Sequence, residues 1–123
     1  MDVKATGPTR LEARKTIALL EMRARKEKRG FWEKLAEETG KPRRRRAEVS
    51  AGKLEMIARK AKGKILVVPG KVLGNGVLES ALQVVAVEFS LGAKKKILEK
   101  KGKCVPMREF ALSGKHENAV IVK

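Results

Sequence analysis

Four consecutive arginines, Arg43 to Arg46, follow Lys41 and Pro42. Each guanidinium can fork to phosphate oxygens and, unlike a lysine ammonium, stack on an exposed base. Pro42 forbids helix continuation and biases Lys41 toward an extended backbone, so the run is offered from a bend. Lys41, Arg43, Arg44, Arg45 and Arg46 are therefore the first candidates for gripping a nucleic-acid backbone, and four arginine contacts would give a log–log salt slope of roughly −3. A solvated charge run is the bland alternative and a nuclear-localisation signal a third. The setting favours nucleic acid, because the whole 123-residue chain carries 30 Lys and Arg against 14 Asp and Glu, a net charge of +16.

A second stretch, Pro69-Gly70-Lys71-Val72-Leu73-Gly74-Asn75-Gly76, has the glycines of a phosphate cradle. Glycines permit positive φ and let backbone amides approach an anion. It is not a nucleotide motif: a phosphate loop needs Gly-Lys followed by Ser or Thr, where Val72 stands, and a dinucleotide fingerprint needs a third glycine near Glu79. The expected role of Gly70, Lys71, Gly74, Asn75 and Gly76 is a turn with RNA contact.

Catalytic chemistry finds no support. One His, one Cys and no Tyr leave neither a metal cluster nor a Cys/His couple. His116 reads as a surface residue and Cys104 as a small half-buried one, while Glu37 and Glu38 are sequence neighbours that a helix directs to different sides. No enzyme activity, cofactor, metal or small-molecule substrate is expected. No apolar run approaches the ~20 residues that span a bilayer, so no membrane partner is expected. A lone cysteine in a basic chain without an evident signal peptide points to a reducing, intracellular setting. The positive charge is not confined to a tail: residues 1–62 hold 19 basic and 9 acidic groups, and residues 63–123 hold 11 and 5. A lone polycation of this size repels itself, and a polyanionic partner removes that cost.

The elements that must position these residues follow from periodicity. Thr9 and Glu12 make a capping box for a helix to about Arg29, with Ala13, Ile17, Leu20 and Ala24 on its core stripe. Leu11, Ala18 and Met22 line the opposite side, which wedges this helix between the core and something else. Phe31 to Thr39 is a second helix presenting Trp32, Leu35 and Ala36, with Gly40 as its stop and Trp32 as a core anchor. Ala51 to Ala61 forms the next helix, ended by Gly63. Ile65 to Val68 and Val84 to Phe89 are the clearest strands, and Lys71-Val72-Leu73 reads as a tight loop or edge strand between two turns. Ser90 caps a helix to about Lys101, followed by Gly102. Cys104-Val105 and Ala119 to Val122 are further short strands around a helical turn at Met107 to Leu112. The expectation is a mixed α/β single domain over residues 9–123, with the first and third long helices packed on the strands and residues 1–8 flexible.

Two of these segments carry a resemblance. Lys41 to Val49 (K-P-R-R-R-R-A-E-V) and Val68 to Gly76 (V-P-G-K-V-L-G-N-G) resemble the signature stretches of the archaeal and eukaryotic large-subunit ribosomal protein eighteen-e family. The likeness extends through Trp32 and through Val85 to Ser90, covering most of residues 9–123, and the length suits the archaeal form. Ser50 stands where that family usually has Asn, and Gly52 weakens the helix start beside it, although Ser also caps helices. The resemblance implies a fold shared with bacterial large-subunit ribosomal protein fifteen, a cytoplasmic ribosomal location, and binding to large-subunit ribosomal RNA beside neighbouring ribosomal proteins. It implies no catalysis and no cofactor, and places RNA contact at the Lys41 to Arg46 stretch and at Lys71 with its glycines. The alternative from another class is a DNA-associated chromatin or regulatory protein. It has the same charge but no helix-turn-helix or zinc-finger spacing.

Overall fold

The computed structural model describes residues 10–27, 30–41, 46–113 and 118–123. The expected flexible segment 1–8, the Thr9 cap, Arg43, Arg44, Arg45 and His116 lie outside the described residues. In chain order the elements are α1 (Arg10–Glu27), α2 (Gly30–Thr39), β1 (Glu48–Ser50), α3 (Ala51–Lys60), β2 (Ile65–Leu73), β3 (Gln83–Phe89), α4 (Leu91–Glu99), β4 (Lys103–Pro106), α5 (Met107–Ser113) and β5 (Ala119–Ile121).

Every strand pair is parallel, in the order β1-β2-β3-β4, with β5 also on β2. The start of β2, Ile65 to Val67, pairs with β5, and its end, Lys71 to Leu73, pairs with β1. A parallel sheet must be covered on both faces, and the strands have the β-branched composition this demands. Leu66, Val68, Val84 and Ala86 face one way, toward Leu54 of α3 and Ala93 and Ile97 of α4. Val67 and Val85 face the other way, toward Leu20 of α1, Trp32 and Leu35 of α2, and Met107 and Phe110 of α5. The result is a three-layer α/β/α arrangement, the mixed α/β class the sequence leads one to expect.

Trp32 is fully buried and anchors the second layer, at 5.3 Å from Phe110 and 5.2 Å edge-on from Phe31. The Arg23 guanidinium lies 4.1 Å above its ring, and Arg23 Nη1 donates to the Ala111 carbonyl at 3.1 Å. One α1 side chain thereby joins α2 to α5 through a desolvated cation–π contact.

Two expectations need correction. Residues 71–73 are neither a loop nor an edge strand: β2 continues through Pro69 and Gly70 and is paired on both sides there. Between the pairs Val68↔Ala86 and Lys71↔Glu88, β2 uses one residue more than β3, so proline's missing N–H falls within a bulge and not in the regular ladder. The first helix also does not lie directly on the strands. It packs on α2 and α5, with Leu20 buried, Ile17 and Ala24 half-buried, and Ala18 and Met22 exposed. The third long helix, α4, does cover the sheet, capped as expected by Ser90, whose hydroxyl accepts from Ala93 N.

Gly70 fixes how closely the β1 edge approaches. A Cβ there would overlap the Ala47 carbonyl oxygen and stand 2.9 Å from the Ala47 carbonyl carbon and nitrogen. Because the obstruction is backbone, no rotamer change can relieve it. Gly70→Ala is expected to lower stability by roughly 3 kcal/mol, the upper part of the usual range for overpacking. Urea unfolding should show a lower midpoint with unchanged m-value, while Gly30→Ala, with open space around its Cβ position, should stay within about 0.5 kcal/mol of the parent.

Candidate nucleic-acid interface

The two ends of the arginine run are tied down. Arg46 Nε donates to the carbonyls of Thr39 at 3.0 Å and Lys41 at 3.1 Å, satisfying the last turn of α2, where carbonyls lack helical partners. Lys41 Nζ is 2.9 Å from Glu38 Oε1. Glu38 is buried and also accepts from Lys123 Nζ at 2.9 Å, with Lys34 Nζ at 3.6 Å. Hydrogen bonds from Lys123 and Lys41 outweigh burial and hold the Glu38 carboxyl down at about 2. The chain thus departs at Lys41 and re-enters at Arg46 through one fixed neck, with Arg43, Arg44 and Arg45 between.

Lys71 and Gly70 belong to the same neighbourhood. Lys71 N donates to Ala47 O at 2.9 Å, and a small recess of about 30 Å³ is lined by Arg46, Ala47, Glu48, Gly70, Lys71, Val87 and Glu88. Lys71 is half-buried and in register with Glu48 on β1 and Glu88 on β3. Its positive charge therefore sits in a row with two acidic residues, unlike the run beside it.

Gly74, Asn75 and Gly76 follow the end of β2 and meet the starts of α3 and α4. Gly52 N donates to Asn75 O at 3.0 Å, and Gly74 packs on Gly92 and Ala93. Gly76 has φ +89, and a Cβ on it would stand 2.8 Å from Gly52 Cα, so the glycine is required twice over. Lys96 Nζ donates to the carbonyls of Gly74 and, at 2.6 Å, Gly76. Asn75 and Gly76 remain exposed at the carboxyl end of the sheet. The ten sequence candidates thus fall into an Arg46/Gly70/Lys71 group with Lys41 beside it, a separate glycine turn, and the three arginines outside the described residues.

Sequence reasoning missed two polar residues that hold this frame. One is Lys96, whose clamp on the turn has no local signature. The other is Glu55 on α3, which accepts from the amides of Glu79 at 3.0 Å and Ser80 at 2.9 Å, from the Ser80 hydroxyl at 2.9 Å, and from Arg59 Nε at 3.1 Å. Burial raises its pKa, but the amides of Glu79 and Ser80, the Ser80 hydroxyl and Arg59 together bring it to about 2. The i,i+4 pairing of Glu55 with Arg59 was legible; the amides arriving from the loop before β3 were not. Among the described residues, no group of three or more His, Cys, Asp or Glu could hold a metal ion.

Residues 33–105, more than half of the chain, match a family of ribosomal proteins that takes in 50S-L15, 50S-L18e and their 60S counterpart. The chain belongs to this ribosomal-protein family. Members of the family are structural components and not enzymes. Curated relatives carry the name "Large ribosomal subunit protein eL18": one from Methanopyrus kandleri is 43% identical over 108 residues, covering 85% of each chain. Another, from Pyrobaculum aerophilum, is 37% identical over 110 residues, covering 89% of this chain and 88% of its own. A third, from Sulfolobus acidocaldarius, is 40% identical over 101 residues, covering 82% and 80%. The resemblance to this family and to its archaeal members is thereby established. The match includes the neck, the bulge and the glycine turn.

The two depressed carboxylates set an acid limit. Each has a folded pKa near 2 against an ordinary value near 4.5, so its stabilising contribution is complete above pH ~4.5 and is lost as pH falls toward 2. Thermal melts should show Tm falling over that window. In Glu55→Gln, an amide NH2 faces the Ser80 hydroxyl and Arg59, so Tm should be lower at pH 7 and the acid decline shallower; an unaltered decline would show that Glu55 does not carry it.

Proposed function

We propose that this chain is a structural constituent of the large ribosomal subunit, acting in cytoplasmic ribosomes. Residues 9–123 serve as one RNA-binding domain that stabilises folded large-subunit ribosomal RNA, beside neighbouring ribosomal proteins. The observation that carries this reading is a tethered arginine run in a chain of net charge +16 that belongs to a ribosomal-protein family. No helix of the described residues is long and apolar enough to cross a membrane.

The chemistry is backbone recognition. Phosphate contacts from Arg and Lys position a protein on RNA without reading sequence, and double-stranded RNA is recognised mainly by shape. Arg43, Arg44 and Arg45 supply guanidinium forks, and Arg46 and Lys41 fix where that short segment begins and ends. Lys71 adds a cation whose field is moderated by Glu48 and Glu88. Asn75 and Gly76 offer an exposed turn where a backbone can come close. Nothing in this set transfers a proton or activates a nucleophile.

The hydrogen bonds of Arg46 decide which variant tests the run. Replacing Arg46 would also strip hydrogen bonds from the end of α2, so Arg43, Arg44 and Arg45 are changed to Ala together. Three lost phosphate contacts at about 0.7 each should flatten the log–log salt slope by about 2; between ~50 and ~200 mM salt the parent loses roughly 20-fold more affinity than the variant. Filter binding to large-subunit ribosomal RNA fragments measures this, with duplex DNA as competitor at physiological salt. An unchanged slope removes the run from the interface, and equal competition by DNA favours the chromatin-type alternative.

A further inference from the structure

The far end of the sheet carries a second concentration of positive charge. In a parallel sheet all strands start at one edge, so the segments entering β2, β3 and β4 lie side by side there. Lys62 and Lys64 precede β2, Lys100 and Lys101 precede β4, Lys103 is its first residue, and Lys60 ends α3. All six are exposed, and none has an ion-pair partner among the described residues. The nearby Glu79 is paired with Arg59 at 2.9 Å, and Glu55 is buried, which leaves Glu99 as the exposed acid in the last turn of α4.

Two features give this edge the form of an interface. An open groove of about 380 Å³ runs between the end of α3 and the strand starts, lined by Ala58, Lys62, Gly63, Lys64, Ala81 and Leu82 among others. Its floor is uncharged and its rim is lysine. On the other side, Lys103 N donates to Leu82 O at 2.8 Å, so the β4 lysines are fixed to the same floor, two strand spacings or about 10 Å from those of β2. Lys101 adopts φ 62, the left-handed region that glycine occupies with less strain.

Complementing the helix dipoles accounts for Lys60 and Lys100, which sit at the C-terminal ends of α3 and α4. It does not account for Lys62, Lys64 or Lys103, which lie beyond the helices, or for a lysine in glycine's conformation at 101. A membrane would ask for an apolar rim to the groove, and the residues on this edge supply cations only.

We propose that the N-terminal edge of the sheet, led by Lys62, Lys64, Lys101 and Lys103, is a second RNA-backbone interface, so that the domain ties together two RNA segments. It rests on the RNA-binding reading above and extends it, since the first set lies by the carboxyl half of β2. Six residues separate Ile65 from Lys71, so the two sets stand about 20 Å apart at ~3.3 Å per residue. One continuous backbone lying against the Arg46 and Lys71 group does not cover both.

The test uses the full chain and large-subunit ribosomal RNA, comparing the parent, a variant with Lys62, Lys64, Lys101 and Lys103 all changed to Gln, and the Arg43–Arg45 variant. The lysine variant should flatten the salt slope by about 3, four contacts at about 0.7 each, and the losses of the two variants should add. Ultraviolet cross-linking should map two separate RNA stretches on the parent and only one on each variant. A lysine variant with the parent's slope and both cross-linked stretches, or cross-links from this edge to protein alone in reconstituted subunits, would overturn the second interface while leaving the first intact. A parent that shows no preference for ribosomal RNA over duplex DNA sinks both readings. Lys101→Gly guards against a folding artefact: it should raise the urea midpoint and still flatten the slope by about 0.7, and an unchanged slope counts against the proposal.

Discussion

The architecture depends on backbone meeting backbone along one strand. At Gly70, β2 comes so near Ala47 that no side chain fits, and after β2 ends, Gly76 comes equally near Gly52. The first contact seats Ala47 against the bulge and gives Lys71 N its acceptor. With Ala47 placed, Arg46 reaches back to the carbonyls at the end of α2. The second contact sets the start of α3, where Ser50 caps by accepting from Lys53 N. Hence the glycines that look like a phosphate cradle in the sequence are also what lets three chain segments close around the carboxyl end of the sheet.

Polar groups inside this frame are divided by sign. Glu38 and Glu55 are buried and accept several hydrogen bonds each, the arrangement in which a buried carboxylate stabilises and does not merely cost desolvation. Their partners are backbone amides and the ammonium or guanidinium tips of otherwise exposed side chains. Acids are thus drawn inward to tie segments together, while most of the described lysines stay outside. The net charge of +16 is for this reason more concentrated on the surface than composition alone conveys.

How much of this was legible follows from the range of each signal. Periodicity located every helix, and β-branched runs located β2 and β3, because burial on a covered parallel sheet imposes continuous apolar stretches. Pro69-Gly70 was read as punctuation; what rescued the strand was a partner, Ala47, whose closeness depends on a bulge no local rule encodes. β1, three residues long, had too few positions to show a pattern. Within the arginine run, identical residues have different work: Arg46 is distinguished by the end of α2 returning beside it, which sequence spacing does not reveal. Glu55 and Lys96 escaped for the same reason, their partners standing more than 20 residues away.

A parallel sheet has a further consequence for a protein that binds a rigid polyanion. Strand ends, helix starts and the tethered arginine neck gather at one edge, and strand starts and helix ends at the other, with a dry two-faced core between. Because that core is close-packed, the distance between the edges changes little under load. Cations fixed to such a block hold phosphates at a set separation, which a flexible basic tail of equal charge cannot do, since its charges simply follow the RNA. The bulge and glycine contacts therefore matter to function through geometry: they fix where the positive groups stand relative to one another, and in a structural ribosomal protein that fixed spacing is the chemistry.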